Sequence, residues 1–246
     1  MITSFGISKT GLVRKVNEDC IFADHKPYFI LADGMGGYEG GQIASTSAVE
    51  AARDYLASLP QEAYSEETAR EAILIANRAI LHRKISADDL QHMGTTMIIA
   101  LISGTMLYWG HVGDSRLYLL KNGALTQVTT DHSFVMTLVE KGKITREEMR
   151  AHPRKNEITR AVGINSQLEV DTGHFSLDQD LIVLICSDGV STMIDDAVIR
   201  DTILPLENGK IALDAAASGL IQKVYDAGAS DNTSLILIHV DPVNEV

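Results

Sequence analysis

The sequence predicts an α+β fold in which antiparallel sheet is flanked by helices, and three features carry that reading. Between residues 95 and 128 four short apolar segments follow one another, separated only by turns such as Ser103-Gly104 and Asn122-Gly123, the pattern of consecutive hairpins. Before them come two long segments with apolar residues at helical spacing. After them strand signals return at 168–175, 181–186 and 234–240, with helical segments between the last two. No repeat, low-complexity stretch or linker interrupts the 246 residues, so residues 1–246 read as one domain.

Taken in order, 2–8, 20–23 and 28–32 are short β-prone segments, the last running straight into Asp33. Past a glycine-rich loop, 42–59 is a helix: Ile43, Ala48, Ala52, Tyr55 and Leu59 fall at helical spacing, and Pro60 stops it. A second helix spans about 66–84. Ser65 can cap it, Glu66 and Glu67 suit the positive end of its dipole, and Ala69, Ile73, Ala76 and Ile80 form its apolar stripe. Strands follow at 95–103, 106–111, 116–121 and 124–128. From 131 to 160 the chain turns polar, helix-prone and rich in both charges, so 132–159 reads as an excursion from the sheet, a lid with few core contacts. Helices at 195–203 and 210–225 precede the last strand.

Composition narrows the function. The hydrophobic fraction of 45 % and the charged fraction of 22 % are those of a soluble globular protein. A formal net charge of −12 argues against nucleic acid or anionic membrane as partners, since both call for basic patches. Only two cysteines, Cys20 and Cys186, are present, which points to a reducing cytoplasm rather than a disulfide framework. Neither is followed six positions later by arginine, so a cysteine-nucleophile phosphatase loop is absent. The N-terminal stretch has no apolar core of signal-peptide length, and the longest apolar runs, 97–102 and 181–186, fall far short of the roughly 20 residues that span a bilayer.

Five aspartates sit at the ends of apolar runs, beside or within two residues of glycine, serine or asparagine: Asp19 in VNED, Asp33 in LADGMGG, Asp114 in HVGDSR, Asp188 in CSDG and Asp231 in GASDN. Strands that end this way aim carboxylates into a common pocket, where they repel one another unless something positive stands between them. Hard divalent cations bound through oxygen are the usual solution. An isolated Asp-Gly is above all a turn, so the weight lies in the set.

Read in order, the chain contains Arg14-x-x-Asn17-Glu18-Asp19, Asp33-Gly34-Met35-Gly36-Gly37, Gly94-Thr95-Thr96, Gly113-Asp114-Ser115-Arg116, Ser187-Asp188-Gly189 and Asp231-Asn232. In that order and spacing it resembles the metal-dependent protein phosphatases of the type 2C class, in their compact bacterial form, over essentially its whole length. The resemblance implies a four-layer α-β-β-α sandwich of two antiparallel sheets, with a metal cleft at one edge. It implies that Asp33 bridges two manganese or magnesium ions and that the Gly34 carbonyl serves the second. Asp188 and Asp231 match ligands of the first metal, Glu18 and Asp19 match residues that hold metal-bound water, and Arg14 matches the arginine that grips the substrate phosphate. Asp114, with Asp188, matches a third, weaker metal position. Arg14 and Asp33 are therefore the expected catalytic residues.

The chemistry is coherent without the name. Phosphate monoesters hydrolyse extremely slowly unaided, two metals about 3.5–4 Å apart supply hydroxide near neutral pH, and a bidentate arginine orients phosphoryl oxygens. In-line attack by water then needs no covalent intermediate. Two departures stand out. Met35 occupies a position where many eukaryotic relatives carry a histidine general acid, leaving water, His132 or no residue for that role. Thr192 stands where some relatives carry an aspartate near the third metal. The glycine cluster 34–41 lacks a P-loop lysine. Thr95 and Thr96 read as strand residues beside the site, His111 and His132 as structural, Arg116 and Arg160 as ion-pair partners, and Arg146, Arg150, Arg154 and Lys155 as a solvated face of the lid.

The resulting expectation is a cytoplasmic, monomeric signalling hydrolase that removes phosphate from serine and threonine in proteins, a serine/threonine kinase among its partners. A catalytically silent phosphoprotein-binding regulator and a small-phosphoester hydrolase are the alternatives. Intact Arg14, Asp33, Asp188 and Asp231 argue against the first, and an open rather than enclosed cleft would argue against the second.

Overall fold

Long apolar runs become strands buried on both faces, and this organises the molecule. The computed structural model describes residues 2–24, 26–37, 39–85, 90–177, 180–207 and 209–240; the outer residues of the 1–246 unit, 1 and 241–246, lie outside them. One sheet runs β1 (Ile2–Lys9), β11 (Thr233–Val240), β10 (Leu181–Cys186), β7 (Arg116–Lys121), β8 (Ala124–Gln127). The other runs β2 (Asp19–Phe22), β3 (Tyr28–Met35), β5 (Met97–Ser103), β6 (Met106–Val112), β9 (Asp171–Ser176), with β4 (Gly94–Thr95) paired to the end of β3. Every pairing is antiparallel.

Period-two alternation sorts the side chains into layers. Phe29 and Leu31, Ile98 and Ala100, Val183 and Ile185, and Ile236 and Ile238 form one core between the sheets. Their neighbours Ile30 and Ile99 face outward, onto α1 (Gly40–Ala57) and α2 (Glu66–Ile85). On the opposite side Ile182, Leu184, Leu235 and Leu237 meet α5 (Asp188–Ser191), α6 (Asp196–Glu207) and α7 (Leu213–Asp226). The predicted four-layer α-β-β-α sandwich of two antiparallel sheets is what the chain adopts. Ser65 caps α2 as expected, its Oγ accepting from Thr68 N at 3.2 Å. No helix among the described residues is long and apolar enough to cross a membrane.

Segment 132–159 leaves the first sheet after β8 and carries two short helices, α3 (Phe134–Glu140) and α4 (Arg146–Met149). Its neck is closed where Thr159 N donates to His132 O at 2.7 Å and Phe134 N donates to Glu157 O at 2.8 Å. The expectation of few core contacts needs refinement. Val135, Met136 and Met149 are buried together, with Phe134, Val139 and Ile144 packed on them, as a separate small core outside the sandwich. Phe134, Val135, Met136 and Val139 make one short apolar turn, but Ile144 and Met149 stand among charged residues, and this hid the cluster.

Candidate active site

The site forms where the two sheets meet at one edge. β2 and β3 pair with Asp19 directly opposite Asp33, so register alone places two like charges side by side. On the other sheet β10 ends at Cys186 opposite Leu235 of β11, which brings Asp188, the first residue of α5, near Asp231, two residues before β11. Asp114 lies in the turn from β6 to β7, where the chain crosses between sheets. Arg14, Glu18, Asp33, Asp114, Asp188 and Asp231 all line one cleft of about 770 Å³. Its rim is exposed at Arg14, Gly36 and Gly37, so it opens to the surface. Asp19 does not line it; it is buried behind the floor, with Oδ2 accepting from Ser187 Oγ at 3.0 Å.

Close backbone approach requires glycine at two points. A Cβ on Gly34 would stand 2.1 Å from Gly41 O and 2.6 Å from Glu18 O, where Gly34 N donates to Glu18 O. A Cβ on Gly189 would stand 1.9 Å from Asn232 O. Both sites where Asp is followed by Gly are therefore places where another stretch of backbone passes too near for any side chain.

Electrostatics in the cleft are dominated by unbalanced carboxylates. Burial, then Asp19, Asp188, Asp114 and Asp231, holds the Asp33 carboxyl well above the usual carboxylate range. Burial first, and then Asp231, pushes Asp188 up to about 6. Burial also pushes Asp19 to about 6 and raises Asp114 and Glu18. The cleft's cation is Arg14, whose Nη2 donates to Asp231 Oδ2 at 2.7 Å while its side chain stays 49 % exposed. One half-exposed guanidinium does not offset that much negative charge.

Two observations show that the residues fit divalent cations. Glu18 Oε1 and Asp19 Oδ1 are buried without a hydrogen-bond partner, a costly state for a carboxylate. The donors are all oxygens, the preference of hard cations. Among the described residues no three His, Cys, Asp or Glu side chains are arranged to hold an ion by themselves. Magnesium-type sites do not need such a cage, because the ion keeps several waters and uses one or two carboxylates. The arrangement suits open, water-rich sites.

Sequence reasoning missed the residue that ties the site together. Asn232 Oδ1 accepts from Glu18 N at 2.9 Å, and its Nδ2 donates to Thr10 O and Val16 O at 3.0 and 2.9 Å. One side chain thereby joins the Arg14 loop, the Glu18 backbone and the Asp231 turn. An asparagine directly after a candidate ligand was the available signal. Thr96 Oγ1 accepts from Asp33 N at 3.0 Å and pairs with Ser115 Oγ at 2.7 Å, so both hydroxyls are committed to holding the site.

His132 is buried and does not line the cleft. Its Nδ1 accepts from Gly113 N at 3.1 Å, so the ring proton lies on Nε2, which faces Asp171 Oδ2 at 3.1 Å. It supports the Asp114 turn and is not placed to donate to a substrate. His111 stacks on it at 4.7 Å, and burial drives its pKa down to about 3, keeping it neutral. Arg116 forks onto Asp131, with Nη2 to Oδ2 at 2.7 Å, and Arg160 pairs with Asp171 at 2.8 Å and Glu169 at 3.2 Å. Both are engaged as ion-pair partners. From the 132–159 segment, Asn156 and Ile158 reach the cleft. A second cavity of about 610 Å³ shares Asp114 and Asp188 and is walled by Val135, Met149, Arg150 and Lys155.

This combination of a four-layer sandwich and a carboxylate cleft at its edge defines a phosphatase class. The chain belongs to the protein phosphatase 2C family, whose model matches residues 14–208. It is 36 % identical to the serine/threonine phosphatase stp of Listeria welshimeri over 236 residues, covering 93 % of this chain and 92 % of that one. The solved structure of the Mycobacterium tuberculosis serine/threonine phosphatase PstP/Ppp matches it with a TM-score of 0.90 at 32 % identity, over 98 % of this chain and 99 % of that one. A structure of the PstP catalytic domain in complex with two manganese ions matches with a TM-score of 0.88 at 32 % identity, over 98 % of each chain.

Proposed function

We propose that this chain is a metal-dependent phosphatase that hydrolyses phosphoserine and phosphothreonine in proteins, opposing a serine/threonine kinase in the cytoplasm. The observation that carries the reading is the cleft itself: five acidic side chains line it with Arg14 at its rim, in a chain of the 2C family. Asp33, the Gly34 carbonyl, Asp188 and Asp231 would hold two manganese or magnesium ions, Glu18 and Asp19 would hold their waters, and Asp114 with Asp188 a third, weaker one. Such ions, when bound, make water nucleophilic near neutral pH and neutralise phosphoryl charge.

The chain's own residues supply the rest. Arg14 is exposed enough to leave Asp231 and take two phosphoryl oxygens, orienting the phosphorus toward the cleft floor. Among the described residues none competes with water as nucleophile: the Thr96 hydroxyl is committed, and burial pushes the Cys186 thiol up to about 12. Met35 lines the cleft, and none of its described lining residues is a histidine. The leaving alkoxide therefore takes its proton from solvent. Segment 132–159 serves as a lid that screens substrates, which the presence of Asn156 and Ile158 in the cleft wall supports.

One assay pair tests this. With manganese, the protein is expected to hydrolyse a phosphothreonine peptide and a small aryl phosphate, and to lose both activities on chelation. Replacing 134–157 by a glycine-serine turn is expected to change peptide kinetics far more than aryl phosphate kinetics. Metal-independent hydrolysis would overturn the mechanism, and equal losses on both substrates would overturn the lid.

A further inference from the structure

Among the described residues only six large apolar side chains are exposed, and three lie in the five residues around Arg14: Leu12 at 62 %, Val13 at 68 % and Val16 at 41 %. Scattered exposed hydrophobics are ordinary; a cluster at the mouth of a cleft is not. The loop that carries them has no regular secondary structure, yet it is fastened along its length. Asn232 Nδ2 holds Thr10 O and Val16 O, Leu12 N donates to Ala229 O at 2.8 Å, and Asn17 Nδ2 donates to Ser8 Oγ at 2.7 Å. Gly11 adopts φ +81°, and a Cβ there would stand 2.2 Å from Asp231 O. The backbone is thus fixed to the Asp231 turn, while the apolar side chains point away from any core.

We infer that Leu12, Val13 and Val16 form a docking surface for aliphatic side chains that flank the phosphoserine or phosphothreonine of a protein substrate. The inference rests on the phosphatase reading above, because Arg14, in the same five-residue stretch of the loop, lines the cleft. With Arg14 on the phosphate, substrate residues one to three positions away, at about 3.3–3.6 Å per residue, come within reach of its neighbours on the loop. Charge favours an apolar flank over an acidic one: the chain carries a formal net charge of −12, and the cleft is lined by carboxylates that repel acidic residues beside the phosphate. A pre-fixed apolar surface also binds without ordering a loop. Met35 and Ile158 in the cleft wall extend the apolar lining.

The test uses the full chain with manganese and three substrates: a phosphothreonine peptide with leucine and isoleucine flanks, its glycine-flanked counterpart, and an aryl phosphate. Wild type is expected to prefer the aliphatic peptide by about 10-fold in kcat/KM, the scale of a modest apolar contact. The triple variant Leu12→Ser, Val13→Ser, Val16→Ser is expected to abolish that preference through KM, leaving the other two substrates within about twofold, since no contact to phosphate is touched. Equal kcat/KM for the two peptides in wild type would overturn the inference, as would parallel losses on all three substrates. So would a wild-type dimer that the triple variant dissociates without changing peptide preference, which would make the surface a contact between copies. Failure of wild type to hydrolyse any of the three would instead refute the phosphatase reading itself.

Discussion

Asp33→Asn is expected to abolish metal-dependent hydrolysis while making the chelated protein more stable than wild type. The two halves of this result have one cause. Asp33 faces Asp19 across the β2–β3 ladder and feels Asp188, Asp114 and Asp231 as well, so its negative charge is what a cation would use and what the metal-free fold tolerates worst. Asparagine keeps the shape and removes the charge. The activity loss should exceed the roughly 10–100-fold that follows loss of a supporting contact around a metal. The melting midpoint of the chelated protein should rise, at about 2–4 °C per kcal/mol for a chain of this size. The sign also predicts a pH signature. Asp19 and Asp188 have folded pKa values raised to about 6, so the folded state binds protons that the unfolded state has already released. Chelated wild type should therefore gain stability as pH falls from about 7 through about 6, and the advantage of Asp33→Asn should shrink over the same window. Scanning calorimetry of both proteins at several pH values, with chelator, checks this. Wild-type metal affinity in Asp33→Asn would remove Asp33 from the metal site.

Arg14→Ala is expected to raise KM for phosphopeptide and aryl phosphate together, by about 10- to 150-fold, the equivalent of a charge-assisted contact of about 1.5–3 kcal/mol. Both substrates should suffer because the contact is to the phosphoryl group they share, which separates this effect from that of the apolar residues beside it. Manganese affinity should hold or improve, since Asp231 loses the partner that now occupies it at 2.7 Å. Arg14→Lys should recover only part of the loss, a point charge replacing a planar fork. Steady-state kinetics with calorimetric manganese titration reads all three quantities. Unchanged KM would show that Arg14 only anchors the Asp231 turn.

Much of this architecture was legible in the sequence because burial on two faces leaves a plain mark. Runs 97–102 and 181–186 are apolar at every position since each strand lies between the inter-sheet core and a helix layer, and both read as strands. Asn122-Gly123 marked its hairpin for an equally local reason: both residues adopt positive φ, 53° and 75°. Boundaries set by a partner were less legible. The strand expected from 168 begins at Asp171, because its pairing with β6 runs out at His111 opposite Asp171. The helix expected to stop at 203 continues past Pro205 to Glu207, since Leu206 buries against the same core as Ile203.

In the site, local strings revealed which residues converge on the cleft, while their relations stayed hidden. Nothing in VNED or LADG shows that Asp19 and Asp33 stand opposite one another, or that Asp19 falls behind the floor; β2–β3 register decides both. The helix that starts at Asp188 is only four residues long, below the length at which periodicity speaks. Asn232 joins Thr10, Val16 and Glu18 over separations of more than 200 residues, contacts that only the closed sandwich creates.

The central claim is that divalent metals bound among Asp33, Asp188 and Asp231 make this chain a phosphatase, and anomalous diffraction from crystals grown with manganese tests it most directly. Two strong manganese peaks are expected in the cleft, both in contact with Asp33, one also with Asp188 and Asp231, and both absent from crystals of Asp33→Asn. A cleft without manganese in crystals of protein that is active under the same conditions, or peaks confined to other carboxylates, would contradict the account.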